Sequence, residues 1–241
     1  MTSTIKELIE RKSVRAFEDK PISAADKALI LEAAVNAPSA GNQQLYTIID
    51  VTDQTLKEKL SVSCDHQPFI AKAPLVLIFC ADVLKWYDLY LDSQSDPRKP
   101  GAGDILLAVD DALIAAQNAV TAAWSLGIGS CYIGDIMENA ELHREMLGLP
   151  EYVFPAAMLV FGYPTEQQCR REKPKRAPMD IIVHKNCYNR LEGDRLKRMV
   201  SASVGEKDHA EWVKAFCNRK YNSDFSIEMS RSVAEYLKEY I

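Results

Sequence analysis

Arg11-Lys12-Ser13-Val14-Arg15 places three cations and a hydroxyl within five residues. Two guanidiniums four apart at a helix end can converge on one phosphate, and Ser13 adds a hydroxyl donor. A solvated basic helix end, whose cations suit the helix dipole, is the plain alternative. A second basic stretch, Arg170-Arg171-Glu172-Lys173-Pro174-Lys175-Arg176, is stiffened by Pro174 and followed by Pro178. Alone it reads as a surface patch or a weak nucleic-acid signal. Between the two lies Pro38-Ser39-Ala40-Gly41-Asn42-Gln43-Gln44. Its amides and hydroxyl suit the carbonyl and imide edges of a heteroaromatic ring, although an ordinary turn has the same composition.

The absent motifs narrow the chemistry. No G-x-G-x-x-G follows a strand, and there is no phosphate-binding G-x-x-x-x-G-K-[ST] and no G-x-S-x-G elbow. The four histidines (His66, His143, His184 and His209) are scattered and form no H-E-x-x-H. The six cysteines (Cys64, Cys80, Cys131, Cys169, Cys187 and Cys217) include no C-x-x-C pair, so reduced thiols are expected and a metal site is not. A net charge of -5 argues against a nucleic-acid partner. The N-terminus lacks a charged segment leading into an apolar core, and apolar runs such as Leu75 to Ala81 are too short to cross a bilayer. The expectation is a soluble cytoplasmic protein with no membrane partner.

These residues need elements to position them. Thr4-x-x-Glu7 reads as a capping box for a first helix. A second helix is expected from Ala24 to about Asn36, capped by Ser23 and stopped before Pro38. Tyr46 to Thr52, Leu75 to Ala81, Ser130 to Asp135 and Pro155 to Phe161 read as strands, the second buried on both faces. Short helices are expected at Leu56–Leu60 and Ala140–Leu147, and a flexible loop at Asp92–Gly103 that is a candidate lid. From Gly103 to Leu126 an alanine-rich helix is apolar on most of its circumference. Such a helix must be covered on more than one side, in the core or at a dimer interface. Residues 192–241 are polar and helical in pattern, a peripheral extension. Strands and helices mix without strict alternation, which gives an α+β or layered α/β class.

Taken in order, four segments resemble the nitroreductase family over roughly Ile5 to Tyr188. They are Arg11–Arg15, Ala37–Gln44, Ser130–Asp135, and Lys173–Pro178 with His184–Tyr188 after it. The resemblance implies a central mixed sheet flanked by helices, in an interwoven homodimer with FMN at the interface. It implies a core domain of residues 1–190 and a helical C-terminal extension of residues 191–241. Arg11, Arg15 and Arg176 would hold the FMN phosphate and the polar ring edge, with Lys12, Ser13 and Lys175 assisting. Pro38, Ser39 and Ala40 would reach the flavin from the partner subunit, Asn42 and Gln44 would lie near the ring or ribityl chain, and Ile133 and Gly134 would bring a backbone N–H toward flavin N5.

The implied activity is hydride transfer from NADH or NADPH through FMN to a small organic acceptor, such as a nitroaromatic or quinone, by a ping-pong mechanism. No side chain need act as acid or base. An ene-reductase or reductive dehalogenase on the same scaffold, or a non-catalytic flavin-binding protein, stays open at this point. Two departures bear on substrate range. Ile133-Gly134-Asp135 lacks the glutamate some relatives carry beside the glycine, and Leu45-Tyr46 stands where many have Pro-Trp.

Overall fold

The computed structural model describes all 241 residues. From the N-terminus the chain runs α1 (Ser3–Glu10), α2 (Ala24–Val35), β1 (Tyr46–Asp50), α3 (Gln54–Ser63), α4 (Pro68–Lys72) and β2 (Leu75–Asp82). It continues through α5 (Leu84–Asp92), α6 (Ala102–Ser125), β3 (Gly129–Ile133), α7 (Ala140–Leu147), β4 (Val153–Gly162) and α8 (Glu166–Arg170). The remaining helices are α9 (Met179–Ile182), α10 (Asp194–Val204), α11 (His209–Lys220) and α12 (Asp224–Leu237). Two compact units result, one of Met1–Arg171 with Glu228–Ile241 and one of Glu172–Ile227.

In the first unit the sheet order is β1-β2-β4-β3, every neighbouring pair antiparallel. The one parallel pairing is an isolated bridge between Ser13 and Ser130. Side chains of a strand alternate between faces, and β2 shows why its sequence is apolar throughout. Leu75, Leu77, Phe79 and Ala81 join the core under α2 and α6, while Val76, Ile78 and Cys80 join a second core with Leu60 and Ile70. The α+β class therefore takes the form of a sheet buried on both faces.

Helix α2 starts where its cap predicts, with the Asp26 N–H donating to the Ser23 hydroxyl at 3.0 Å. The expected capping box at Thr4 does not form. Helix α1 is capped at Thr2, with no side-chain cap bond. Helix α6 is the one helix long and apolar enough to cross a membrane, a length that separate apolar runs concealed. Here it packs on the sheet through its alanine side, Ala108, Ala112, Ala115 and Ala119, all fully buried. Its Leu106, Leu107, Leu113 and Ile114 remain exposed.

The end of the chain is not peripheral as its polarity predicted. Tyr236 is 1% exposed, sits edge-on to Phe154 at 5.1 Å and donates its hydroxyl to the Ala140 carbonyl. Arg231 pairs with both Glu141 and Glu228. Three apolar positions on the last helix (Val233, Tyr236 and Leu237) are enough for it to dock. In the second unit, α9 and α10 are joined by an Arg198–Asp180 ion pair of 3.1 Å, and Trp212 stacks on Phe216 within α11.

Two glycines let the segment after α1 lie against the sheet. A Cβ on Gly129 would stand 2.6 Å from Val14 Cγ2, and one on Gly162 would stand 2.7 Å from the Phe17 ring. Val14 is held there by its N–H, which donates to the Ser130 carbonyl at 2.9 Å. Gly129→Ala is expected to cost about 1–3 kcal/mol through overpacking, read as a lower urea midpoint at unchanged slope. An unchanged midpoint would show that the segment shifts freely and that the fit is not tight.

Candidate flavin site

The strand pairing places Arg11, Ser13 and Arg15 along the start of β3. All three lie close enough to Cys131 to act on its thiol. Burial pushes that thiol above its ordinary value, while Arg15, a hydrogen bond from Ser13, and Arg11 pull it back. Arg11 also lowers the Tyr132 hydroxyl, against a larger upward push from burial. Arg11 Nη1 is buried and has no hydrogen-bond partner within the chain. A buried donor left unpaired costs about 1–3 kcal/mol, more for a charged group, so such an atom marks a place for an anion. No carboxylate pairs with Arg11 or Arg15. Two guanidiniums and a hydroxyl with this unmet donor fit the phosphate of FMN.

Lys12 faces elsewhere. Its ammonium donates to the carbonyls of Cys169 (2.7 Å) and Arg171, closing the exposed carbonyl end of α8. Arg171, in turn, donates to the Ser13 carbonyl at 2.6 Å, and the Arg15 N–H reaches Gln168 Oε1 at 3.3 Å. The short helix α8 thus fixes the backbone of the cationic segment from behind. Lys175 and Arg176 are exposed and belong to the second unit, Glu172–Ile227.

Ile133 closes β3 opposite Met158, and Gly134 opens a 3-10 turn of Gly134–Met137. The turn ends at Glu138, whose N–H donates to the Asp135 carbonyl at 3.0 Å. Glu138 is 5% exposed, and its Oε1 finds no partner. Burial first, then the charges of Asp135, Asp65 and Glu228, push its carboxyl up to about 7. Nothing in the sequence pattern singled out this residue. It follows Gly134 by only four positions, but the charges of Asp65 and Glu228 that act on it come from distant parts of the chain.

The loop Pro38–Gln44 is built by a different anchor. Asp111 of α6, 2% exposed, accepts the Ala40 N–H on one oxygen (2.8 Å) and the Leu45 N–H on the other (3.1 Å). Between these clamps Gly41, Asn42 and Gln44 have φ of 56°, 58° and 53°. Left-handed backbone at the two non-glycine residues costs about 1–3 kcal/mol each, so the carboxylate holds a conformation the loop would not keep alone. The Ser39 hydroxyl accepts the Gln44 N–H at 3.0 Å, and the Gln43 carbonyl accepts the Trp86 indole N–H at 2.7 Å. Pro38, Asn42 and Gln44 are exposed, while Ser39 and Ala40 are half-buried. No hydrogen bond joins this loop to Arg11, Ser13 or Arg15 within the chain. Asp111 is one of the few charged residues of the largely apolar α6. Its role appears only when the loop crosses that helix.

With this geometry, residues 8–163 match the family model described as the nitroreductase family. The chain belongs to the nitroreductase family. It is 34% identical to the FMN reductase (NAD(P)H) of Bacillus subtilis strain 168, over 98% of this chain and 91% of that protein. It is 35% identical to the oxygen-insensitive NADPH nitroreductase of Salmonella typhimurium strain LT2, over 82% of this chain and 80% of that one. The solved NADPH:FMN oxidoreductase from Vibrio harveyi, complexed with NAD+, superimposes with a TM-score of 0.77 at 25% identity, covering 99% of this chain and 98% of that one. The matches to the Bacillus and Vibrio proteins cover 98% and 99% of this nitroreductase-family chain, so its C-terminal helices fall within them.

Asp111→Asn is expected to lose one of the two N–H acceptors and destabilise the protein by about 1–3 kcal/mol. Hydrogen exchange should rise at the Ala40 or Leu45 amide, and native-like protection at both would remove the anchor role. Glu138 gives a pH signature. Its folded-state value lies above the ordinary 4.5, so between about 4.5 and 7 the folded chain keeps a proton the unfolded chain has released. Stability is therefore expected to fall as pH rises through that window and to level off above it. In Glu138→Gln that contribution disappears, and the pH dependence of the melting temperature over this window should flatten. A profile parallel to that of the unaltered protein would count against a buried, proton-holding Glu138.

Proposed function

We propose that this protein is an FMN-dependent NAD(P)H oxidoreductase acting on small organic acceptors. The observation that carries this reading is the unpaired, buried Arg11 Nη1 beside Ser13 and Arg15, in the segment that runs along β3, the strand that ends at Ile133. Relatives named for FMN reduction, NADPH nitroreduction and an NAD+ complex support it. FMN bound here would supply the hydride-accepting and reducing chemistry, which would leave the chain's own residues to bind and orient rather than transfer protons. Arg11, Ser13 and Arg15 hold the phosphate and polar edge. Ile133 and Gly134 present a backbone N–H to the flavin ring. Lys12 contributes by fixing the backbone of this segment.

The active form in this reading is a homodimer with FMN at the interface. The exposed apolar side chains of α6, Leu106, Leu107, Leu113 and Ile114, and of α1, Ile5, Leu8 and Ile9, support it. Apolar surface of this kind marks an association site. The separation of loop Pro38–Gln44 from Arg11 within one chain fits a loop whose Pro38, Ser39, Ala40, Asn42 and Gln44 serve the partner's flavin. The six cysteines are unpaired, which suits a reducing cytoplasm.

The purified protein should show flavin absorbance that bleaches when NADPH or NADH is added without oxygen. Arg11→Ala should weaken FMN retention about 10- to 100-fold, the loss of one charge-assisted hydrogen bond, while the circular dichroism spectrum is kept. Unchanged FMN occupancy in that variant would remove the phosphate assignment.

A further inference from the structure

Helix α7 begins without a cap of its own. Asn139, the residue before it, has a left-handed backbone (φ 50°, ψ 50°), and its side chain caps no N–H of the helix. A capping residue ordinarily has extended backbone and turns a side-chain oxygen onto the free N–H groups of the first turn. The Asn139 amide instead donates to the Ser63 carbonyl at 3.0 Å. The missing acceptors come from α12. Glu228 Oε1 accepts the Asn139 N–H at 3.1 Å, and the hydroxyl oxygen of fully buried Ser232 accepts the Ala140 N–H at 2.9 Å. Ser232 in turn donates to Glu228 Oε1 at 2.7 Å, so the two side chains form one acceptor group.

Arg231 locks this group in place. It donates to both Glu228 oxygens at 2.9 Å and to both Glu141 oxygens at 2.8 Å, which ties α12 to the first turn of α7. Arg231 first, and Ser232 after it, hold the Glu228 carboxyl down at about 2, so it is an anion near neutral pH. An anion at a helix N-terminus also meets the positive end of the helix dipole. The cap lies directly behind the turn Gly134–Met137, from which Asn139 is separated by Glu138 alone. The turn is fastened at its start by the pairing of Ile133 with Met158, and near its middle by the Gln67 side-chain amide, which donates to Asp135 at 3.1 Å. Its far end depends on α12. The same helix also touches the turn itself, since a Cβ on Gly134 would stand 4.0 Å from Met229 Cε. Left-handed backbone at a non-glycine residue is strained, so without Glu228 the connection through Asn139 relaxes and the turn moves with it.

We propose that Glu228 is a positioning residue for the flavin: through Asn139 and Ser232 it holds the turn that starts at Gly134, and so fixes the backbone N–H presented to the ring. This role rests on the reading of Gly134 as the flavin-facing residue. Glu228 acts through the backbone and touches neither flavin nor substrate.

The test is titration of the full-length protein, freed of flavin, with FMN by flavin fluorescence, together with hydrogen exchange at the Gly134 and Asn139 amides. Glu228→Ala removes the acceptor, whereas Glu228→Gln keeps an oxygen in its place and removes only the charge. Glu228→Ala should weaken FMN binding about 5- to 10-fold, the worth of one hydrogen bond, and speed exchange at both amides. Glu228→Gln should restore most of both. Ser232→Ala, which removes the companion acceptor, should move both readouts in the same direction as Glu228→Ala. With FMN bound, the flavin midpoint potential should shift in Glu228→Ala and return in Glu228→Gln. Val233→Ala serves as the comparison, since Val233 lies on the same helix and packs on the core. It should lower the melting temperature and leave FMN affinity unchanged. FMN affinity unchanged in Glu228→Ala, no rescue in Glu228→Gln, or an equal loss in Val233→Ala would each overturn the proposal. The last of these would reduce α12 to general support of the fold. Failure of the flavin reading would instead appear in the unaltered protein, which would take up no FMN, and this role would fall with it.

Discussion

The candidate site depends on how closely the chain after α1 can approach the sheet. Val14 sits where a side chain on Gly129 would have to be, and Phe17 where one on Gly162 would be. With that space available, the Val14 N–H pairs with the Ser130 carbonyl and the segment runs beside β3 as a short extra strand. Only then do Arg11, Ser13 and Arg15 gather around Cys131. A guanidinium nitrogen is buried in the process without a partner from its own chain. The packing term that seats Val14 and Phe17 offsets the cost of that unmet donor, which an anion can then satisfy.

A second constraint acts through one carboxylate. Asp111 takes two backbone N–H groups from opposite ends of the loop that follows α2. A loop with three left-handed residues out of four would otherwise sample many conformations. Asp111 lies on a helix whose alanine side is packed tightly to the sheet, so the loop inherits the rigidity of the core. The same loop reaches Trp86 and Tyr90 through Gln43. Loop, α5 and α6 are therefore braced together through Asp111, Trp86 and Tyr90.

Much of this was legible in the residues. The unbroken apolar run of β2, the Ser23 cap and the proline after α2 are local effects, and local effects survive in a sequence. The ordered motifs Arg11–Arg15, Pro38–Gln44 and Ile133–Gly134 were legible for another reason: each is a contiguous stretch of distinctive residue types. The Thr4 capping box failed because helix starts are set within a residue or two by competing caps, and Thr2 won. The C-terminal helix looked peripheral because its composition is polar, yet Tyr236 alone supplies a buried ring and a hydroxyl bond to Ala140.

The sequence by itself determined the α+β class, the family resemblance and the cationic segment that awaits an anion, since these rest on residue types and short spacings. Tertiary structure alone decided that Lys12 braces α8 instead of joining the cluster, that Asp111 anchors the loop and that Glu138 is buried within the field of Asp65 and Glu228. It also decided that Arg98 and Asp104 pair with each other. Each of these is a meeting of side chains with backbone or side-chain groups brought together by the fold. What a charged or polar group does is set by its partners, and most of those partners are chosen only when the chain closes on itself.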